Sequence, residues 1–384
     1  MTELQQTKNS FKFIGKVTRI DKDGAFKEEE STKGKNQGRL YRSLRFGVKT
    51  SPNNEMTVQM FSFQPEEVFL WNSDKAKKAK ENHKEYKGER IPFEQWVEEE
   101  ESLREEGYAV LQSRIGLVYD ENGKLKSKGL PSYVASKEIF DQLNNNDNVI
   151  VEGSIGYSKY ENQQGKVVQQ KNFNIEKVYR LKDIDFEDEK FKEITYFEQE
   201  IVYVDAELDQ DNKKVYVTGR TIDYYKDWHD IQFVIDYSDG KDGIDEGMQK
   251  LAKSFLKRIK FGDLLHIFGD ALNRVDVEEV EDDGGEEEDF TAILGGKAKP
   301  SHAQGYVVRN YIQEMRILGV ESWEKKVYKE EDFIKDELIE NEDDNLQDEL
   351  GGKKKEKSNN PFDTDDDPFA NGGTIEISDD DLPF

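Results

Sequence analysis

Apolar and polar residues alternate at a period of two in two similar segments of the chain. One segment reads D-x-V-x-V-x-G-x-I from Asp147 to Ile155, and equivalent residue types recur from Asp263 to Ala271. Such alternation predicts a half-buried strand, and the glycine near its end predicts a bend. A short amphipathic helical pattern precedes each copy. The sequence therefore contains a repeated helix-and-strand unit.

Each copy also has a candidate opening strand with a central glycine. Phe13 to Val17, around Gly15, is predicted to correspond to Val217 to Thr221, around Gly219. An opening strand with a glycine, later strands, a helix and a closing hairpin form the order of the OB-fold, a five-stranded Greek-key barrel. The pattern predicts a mainly β protein with two tandem OB-fold barrels, a helical insertion and a disordered acidic tail.

The predicted domain boundaries lie where the alternation of apolar and polar residues ends and a run of charged residues begins. They are a flexible N-terminus at 1–10, a first barrel at 11–182 with a charged helical insertion at about 64–130, a second barrel at 195–328 with an acidic loop at about 276–300, and a disordered acidic linker and tip at 329–384.

The acidic excess is unevenly distributed. The 384 residues carry a net charge of −27, and positions 329–384 hold 20 acidic against 6 basic residues, a net −14. Positions 1–60 hold 12 basic against 7 acidic residues, a net +5. A basic front end and an acidic tail are compatible with a nucleic-acid partner.

Several function classes find little support in the sequence. There are no cysteines, which excludes disulfides and thiolate metal sites. No catalytic motif, metal site or cofactor site is predicted, and no stretch of 18 consecutive apolar residues predicts a membrane span. We expect a cytoplasmic protein that is not an enzyme, and self-association stays open.

The predicted DNA-binding face combines aromatic rings with cations on the second and third strands of the first barrel, where OB-folds bind oligonucleotides. The candidates there, on the neighbouring insertion and on the final hairpin are Tyr41, Arg45, Lys49, Phe61, Phe63, Trp71, Tyr157, Lys159 and Tyr160. The alternative interpretation is that many of these rings belong to the core. A more acidic cluster in the second barrel, interpreted as a weaker DNA site or a protein interface, consists of Arg220, Tyr224, Tyr225 and Trp228.

The last six residues, Asp379, Asp380, Asp381, Leu382, Pro383 and Phe384, form a run of aspartates that closes in an apolar-Pro-Phe end. This ending resembles the acidic tip of bacterial-type single-stranded-DNA-binding proteins, and the tandem barrels resemble larger proteins of this type encoded by bacteriophages. The resemblance implies that the tip docks on replication, repair and recombination enzymes, in the host cytoplasm if the protein is viral. The alternative is an ordinary solubilising tail.

Together these features predict a sequence-tolerant single-stranded-DNA-binding protein that coats exposed strands and recruits enzymes through its tip. The alternative is an OB-fold scaffold for protein interactions, or a replication or recombination accessory factor, with little direct DNA binding. Binding of labelled oligo-dT separates the two.

Overall fold

The computed structural model describes residues 2–32, 36–161, 167–182, 186, 188, 191–240, 243–280 and 306–333, without the side chains of 159–161, 167–169, 275–280 and 306–311. The strands are β1 (Asn9–Thr18), β2 (Phe26–Glu30), β3 (Leu40–Ser51), β4 (Asn54–Phe63), β5 (Glu67–Asn72), β6 (Glu89–Pro92), β7 (Tyr108–Ala109), β8 (Ser113–Tyr119), β9 (Leu125–Leu130), β10 (Asn148–Glu161), β11 (Val167–Arg180), β12 (Ile194–Asp209), β13 (Lys214–Ile222), β14 (Trp228–Asp236), β15 (Leu264–Val280) and β16 (Tyr306–Glu324). The helices are α1 (Ser73–Glu81), α2 (Phe93–Glu105), α3 (Ser132–Gln142) and α4 (Glu246–Lys257), followed by a short 3-10 helix at Glu330–Phe333. The prediction of a mainly β protein is confirmed.

Five strands in the first half of the chain pair into a closed circuit, which we call the first circuit. Its order is β1, β3, β4, β11, β10 and back to β1. All pairs are antiparallel except β4 with β11, where Phe173 lies opposite Val58 in a parallel arrangement. The rings of Phe11, Phe13 and Phe173 meet inside, with centroids 4.6–5.1 Å apart. These buried rings fill the core that the alternation of β1 and β11 creates.

A second closed circuit, called the second circuit, uses β12, β13, β14, β16 and β15 in that order. Its one parallel pair, β14 with β16, occupies the place of β4 with β11 in the first circuit. Helix α4 begins where the Asp245 carboxylate accepts a hydrogen bond from the Met248 amide, at 2.9 Å, and it buries Phe255 against the core. Helix α3 lies at the same point in the order of the first circuit, before its fourth strand.

The repeated segment that begins at Asp147 and at Asp263, which we call the aspartate frame, lies at equivalent places in the two circuits. Asp147 and Asp263 each accept a hydrogen bond on Oδ2 from the backbone amide three residues earlier, at 2.8 and 3.1 Å. The strands that follow are β10 and β15, and each shifts register immediately before the glycine of the frame, Gly153 or Gly269. A Cβ at either glycine would overlap a carbonyl oxygen of the neighbouring strand, which explains the residue type.

The predicted match between the opening strands is wrong. Gly15 lies on β1, the first strand of its circuit, whereas Gly219 lies on β13, the second strand of the other circuit. The backbone amides of Val17 and Tyr203 donate to the carbonyls of Asp147 and Asp263, so the strand equivalent to β1 is β12. The error arose because a glycine within an alternating strand is too short a pattern to identify its place in a sheet.

The insertion at about 64–130 is only partly helical, in contrast to the prediction. It contains α1 and α2 together with β5 to β9, and β8 extends the sheet by pairing in parallel with β11. Val68, Leu70 and Trp96 are buried in the same apolar cluster as the circuits. The charged stretches misled the prediction because they form α1, which buries no residue, and α2, while β5 to β9 occupy the rest of the insertion.

Both ends of the described chain are held against the second circuit. The backbone amide of Thr7 donates to the Ile222 carbonyl at 2.9 Å, and the Thr7 side chain is buried. The predicted flexible N-terminus at 1–10 is therefore anchored. The folded part also extends past the predicted boundary at 328, since Phe333 is buried, and β15 occupies 276–280 of the predicted acidic loop. The remainder of that loop and of the tail lies outside the described residues.

Direct contacts join the two circuits. Strand β1 pairs with β12, with Phe11 opposite Phe197, so one sheet of 13 strands runs through both. A second junction forms where the Asn273 amide donates to Asn54 Oδ1 at 2.7 Å and Asn273 Nδ2 donates to the Glu55 carbonyl at 2.8 Å. These contacts fix a groove between the circuits.

Candidate nucleic-acid interface

The outer face of β3 and β4 carries most of the predicted contact residues. Alternation directs Leu44, Phe46 and Val48 into the core, where each is almost fully buried. It leaves Arg45 exposed and Tyr41 and Lys49 half-buried on the other side. Leu40, which the same alternation places on the core-directed side, is 41% exposed at the start of the strand.

Three aromatic residues meet at one end of this face, and we call them the ring cluster. Tyr41 lies opposite Phe63 in the ladder, and Phe61 lies beside both. The Phe61 centroid is 5.3 Å from that of Tyr41 and 5.3 Å from that of Phe63, and the Tyr41 and Phe63 centroids are 6.0 Å apart. The guanidinium of Arg39 sits 5.1 Å from the Phe63 ring centre. Phe63 is buried, so Tyr41 and Phe61 supply the accessible ring surface.

A hydrogen bond fixes the orientation of Tyr41. Its hydroxyl donates to Glu29 Oε2 at 2.7 Å, from the neighbouring strand β2. Burial, with help from the Glu29 carboxylate, raises the pKa of the Tyr41 hydroxyl to about 12. The phenol stays neutral at physiological pH, which favours its use as an uncharged stacking surface beside a polyanion.

The cations of this face occupy different places along the strands. Arg45 lies opposite Gln59, four residues along β3 from Tyr41. Lys49 lies farther on, opposite Glu55, where β3 also pairs with β1 and Lys16 faces it. The outer face thus runs from aromatic at the ring cluster to basic at Arg45.

Two predicted contact residues lie elsewhere. The Trp71 ring packs on Tyr86 within the insertion, with centroids 5.1 Å apart. The Tyr157 hydroxyl donates to Gln199 Oε1 at 3.3 Å and its ring lies 6.5 Å from that of His229, at the junction of the circuits. Burial raises the Tyr157 pKa. Tyr157 lies away from the ring cluster because its strand passes next to the second circuit, which the pattern of β10 does not reveal.

For other predicted residues the structure describes only the backbone, or does not describe the residue. Lys159 and Tyr160 belong to β10 by backbone pairing, but their side chains are among those not described. The six residues of the tip, from Asp379 to Phe384, lie outside the described residues.

The predicted second cluster is largely engaged in internal contacts. The Arg220 guanidinium donates to both carboxylate oxygens of Asp230, at 2.6 and 2.8 Å, and lies 4.5 Å from the ring centre of Phe333. The Trp228 ring packs on Phe333, with centroids 5.7 Å apart. The C-terminal 3-10 helix thus covers two members of the cluster. Tyr224 and Tyr225, 48% and 50% exposed, lie in the turn between β13 and β14.

Sequence reasoning missed two cations near the predicted face. Arg39 precedes β3 and covers Phe63, and Lys171 lies on β11 and lines the same groove between the circuits as Arg45. Arg39 had a signal, since it immediately precedes a strand that bears an aromatic residue. Lys171 had none, because its proximity depends on the parallel pairing of β4 with β11.

Among the residues that the structure describes, no group of three or more His, Cys, Asp or Glu side chains is placed to hold a metal ion. No helix within that part of the chain is long and apolar enough to cross a membrane.

Comparison with known proteins identifies a family. Residues 80–350, more than half of the chain, match the family model described as YorF. The chain belongs to the YorF family. No curated protein matches the sequence. Among solved structures, this YorF-family chain matches a deletion and point mutant of the single-stranded DNA-binding protein from Thermus aquaticus, with 10% sequence identity and a TM-score of 0.34. That match covers 83% of this chain and 95% of the other.

Proposed function

We propose that the protein binds single-stranded DNA, with little sequence preference, on the outer face of β3 and β4. The observation that carries this proposal is the ring cluster beside cations, with Tyr41 and Phe61 accessible, Arg39 against Phe63 and Arg45 exposed on the same face. Bases stack on aromatic rings whatever their identity, at about 1–3 kcal/mol per base, and cations attract the backbone. This combination suits an unpaired strand.

Each circuit is proposed to be an OB-fold barrel. Support comes from the strand order, the parallel closure of the third strand on the fifth, and a helix before the fourth strand in both circuits. In this fold the second and third strands carry the oligonucleotide face. In the first circuit these strands are β3 and β4, where the ring cluster lies.

The two circuits are proposed to contribute unequally. In the second circuit Asp230 neutralises Arg220, and Phe333 covers both Arg220 and Trp228. A cation held by a carboxylate has little attraction left for a phosphate. The primary DNA site therefore belongs to the first circuit.

The wider role remains the one predicted from the sequence. The protein would coat DNA strands during replication, recombination and repair, without catalysis of its own, in the cytoplasm, which is the host's if the protein is viral. Its tip, Asp379 to Phe384, would bind partner enzymes through the Phe384 ring and carboxylate.

Fluorescence anisotropy with labelled oligo-dT tests the DNA proposal. The intact chain should bind the oligonucleotide, and Tyr41→Ala with Phe61→Ala should weaken binding at least tenfold, since two stacking surfaces are lost. Val97→Ala provides a control, because this apolar side chain is 56% exposed on α2, within the insertion. Absence of binding by the intact chain would instead favour the protein-interaction scaffold.

A further inference from the structure

A groove between the two circuits continues the outer face of β3 and β4. On the first circuit it is bordered by β3, β4 and β11, and on the second by β15 and β16. Its lining residues are Arg45, Met56, Thr57, Gln59, Lys171, Asn172, Phe173, Leu272, Asn273 and Gln313.

The charge of this groove is entirely positive. Arg45 and Lys171 are the charged residues of the lining, and no carboxylate is among the residues that line it. Within the described part of the chain, neither cation takes part in an ion pair. This contrasts with Arg220 in the second circuit, which Asp230 neutralises. In a protein with a net charge of −27, two cations that line one groove, with no carboxylate among its lining residues, indicate a site for an anion.

Lys171 is partly shielded from solvent. The side chain is half-buried, and its Nζ lies 5.5 Å from the ring centre of Phe173, its neighbour in the lining. Burial lowers the pKa of Lys171 to about 8, which makes its charged form less favourable than that of a solvent-exposed lysine. A phosphate beside Nζ would stabilise the charged form.

Neutral amides complete the groove from both sides. Gln59 and Asn172 come from the first circuit, and Asn273 and Gln313 come from the second. The Asn273 contacts to Asn54 and Glu55 hold the two walls together. Amide groups can hydrogen-bond to phosphate and sugar oxygens without reading the sequence of bases.

We propose that this groove binds a backbone phosphate of the same DNA strand that stacks on the ring cluster, with Arg45 and Lys171 as its cationic contacts. The inference rests on the proposed function. It extends the site from the first circuit to β15 and β16, so the second circuit takes part through its groove wall. Tyr41 and Arg45 are four residues apart on β3, about 13 Å along the strand, so one extended DNA strand can contact both.

The test compares Lys171→Gln with wild type by anisotropy of labelled oligo-dT over a range of salt concentrations. Removing one phosphate contact should weaken binding and reduce the magnitude of the slope of log K against log salt by about 0.7. Lys171→Arg keeps a cation and should restore the slope. Lys77→Gln is the matched control, since this exposed lysine lies on α1, which buries no residue.

The outcomes separate this inference from the proposed function. If Lys171→Gln binds with the wild-type affinity and slope while the Tyr41→Ala, Phe61→Ala variant is weakened, the groove proposal is wrong and the ring-cluster site stands. If the wild-type chain does not bind oligo-dT, both proposals fail. Thermal unfolding of each variant verifies that it is folded, and Gln in place of a half-buried cation should not destabilise the groove.

Discussion

The two frame glycines provide a stringent test of the repeated architecture. An alanine Cβ at Gly153 would overlap the carbonyl oxygen of Asn174, and one at Gly269 would overlap that of Arg316. Both obstacles are backbone atoms of the paired strand, so rotation of a side chain cannot relieve them. The strands would have to separate where β10 pairs with β11 and where β15 pairs with β16.

The expected magnitude follows from that geometry. Overpacking a tight site costs about 1–3 kcal/mol, and one weakened ladder hydrogen bond adds about 1 kcal/mol. Gly153→Ala and Gly269→Ala should therefore each lower the free energy of unfolding by about 2–4 kcal/mol.

Urea denaturation followed by circular dichroism measures this loss, with Gly156→Ala as the control. A Cβ at Gly156 would meet the Asn174 side-chain amide at 2.7 Å, and that flexible group can move. The control should thus lose much less stability. Frame variants as stable as Gly156→Ala would refute the close strand approach that the structure shows at both bends.

Three further predictions concern the DNA site. Tyr41→Ala should weaken oligo-dT binding about 5- to 150-fold, the equivalent of about 1–3 kcal/mol. Tyr41→Phe should bind nearly as well as the wild type because it keeps the ring. Equal losses of affinity in the two variants, measured by anisotropy, would exclude stacking. DNA binding should take up a proton between about pH 8 and pH 10, because a phosphate would raise the lowered pKa of Lys171. The affinity should therefore fall as pH rises through that range, and calorimetry in buffers of different ionisation enthalpy should detect the proton uptake. Uptake that persists in Lys171→Arg would contradict the assignment to Lys171. Among charged or titratable groups, Arg45 lines the same groove from β3, and Tyr157, whose pKa is raised by burial, lies opposite Lys171 on β10. Deleting 363–384, which removes eight acidic and no basic residues, should tighten DNA binding most at low salt, and an unchanged affinity at low salt would show that the tail does not compete with DNA.

Local patterns in the sequence predicted the parts of the fold that depend on neighbouring residues. The period of two on β3 explains why Leu44, Phe46 and Val48 lie in the core, because side chains on a strand alternate between faces whatever the strand pairs with. The repeated segment beginning at Asp147 and at Asp263 could be recognised in the sequence because its structure is local. Each aspartate accepts a hydrogen bond from a backbone amide only three residues away.

Contacts between distant segments explain the failures. Arg220 is engaged by Asp230 and Phe333, and neither contact can be read without the register of β13 and β14 or the path of the C-terminal segment. The position of Tyr157 could not be predicted for a similar reason, since its partner Gln199 is 42 residues away in the other circuit. The composition of a strand indicates an aromatic and basic face, but tertiary pairing decides which members of that face stay accessible.

The most direct test of the account is photo-crosslinking of the intact protein to oligo-dT that carries a photoreactive thymine analogue, followed by mass spectrometry of the linked peptides. Crosslinks are expected on β3 and β4 at Tyr41 or Phe61, and they should be lost when unlabelled oligo-dT competes. Crosslinks confined to the second circuit at Tyr224 and Tyr225, with none on β3 or β4, would contradict it.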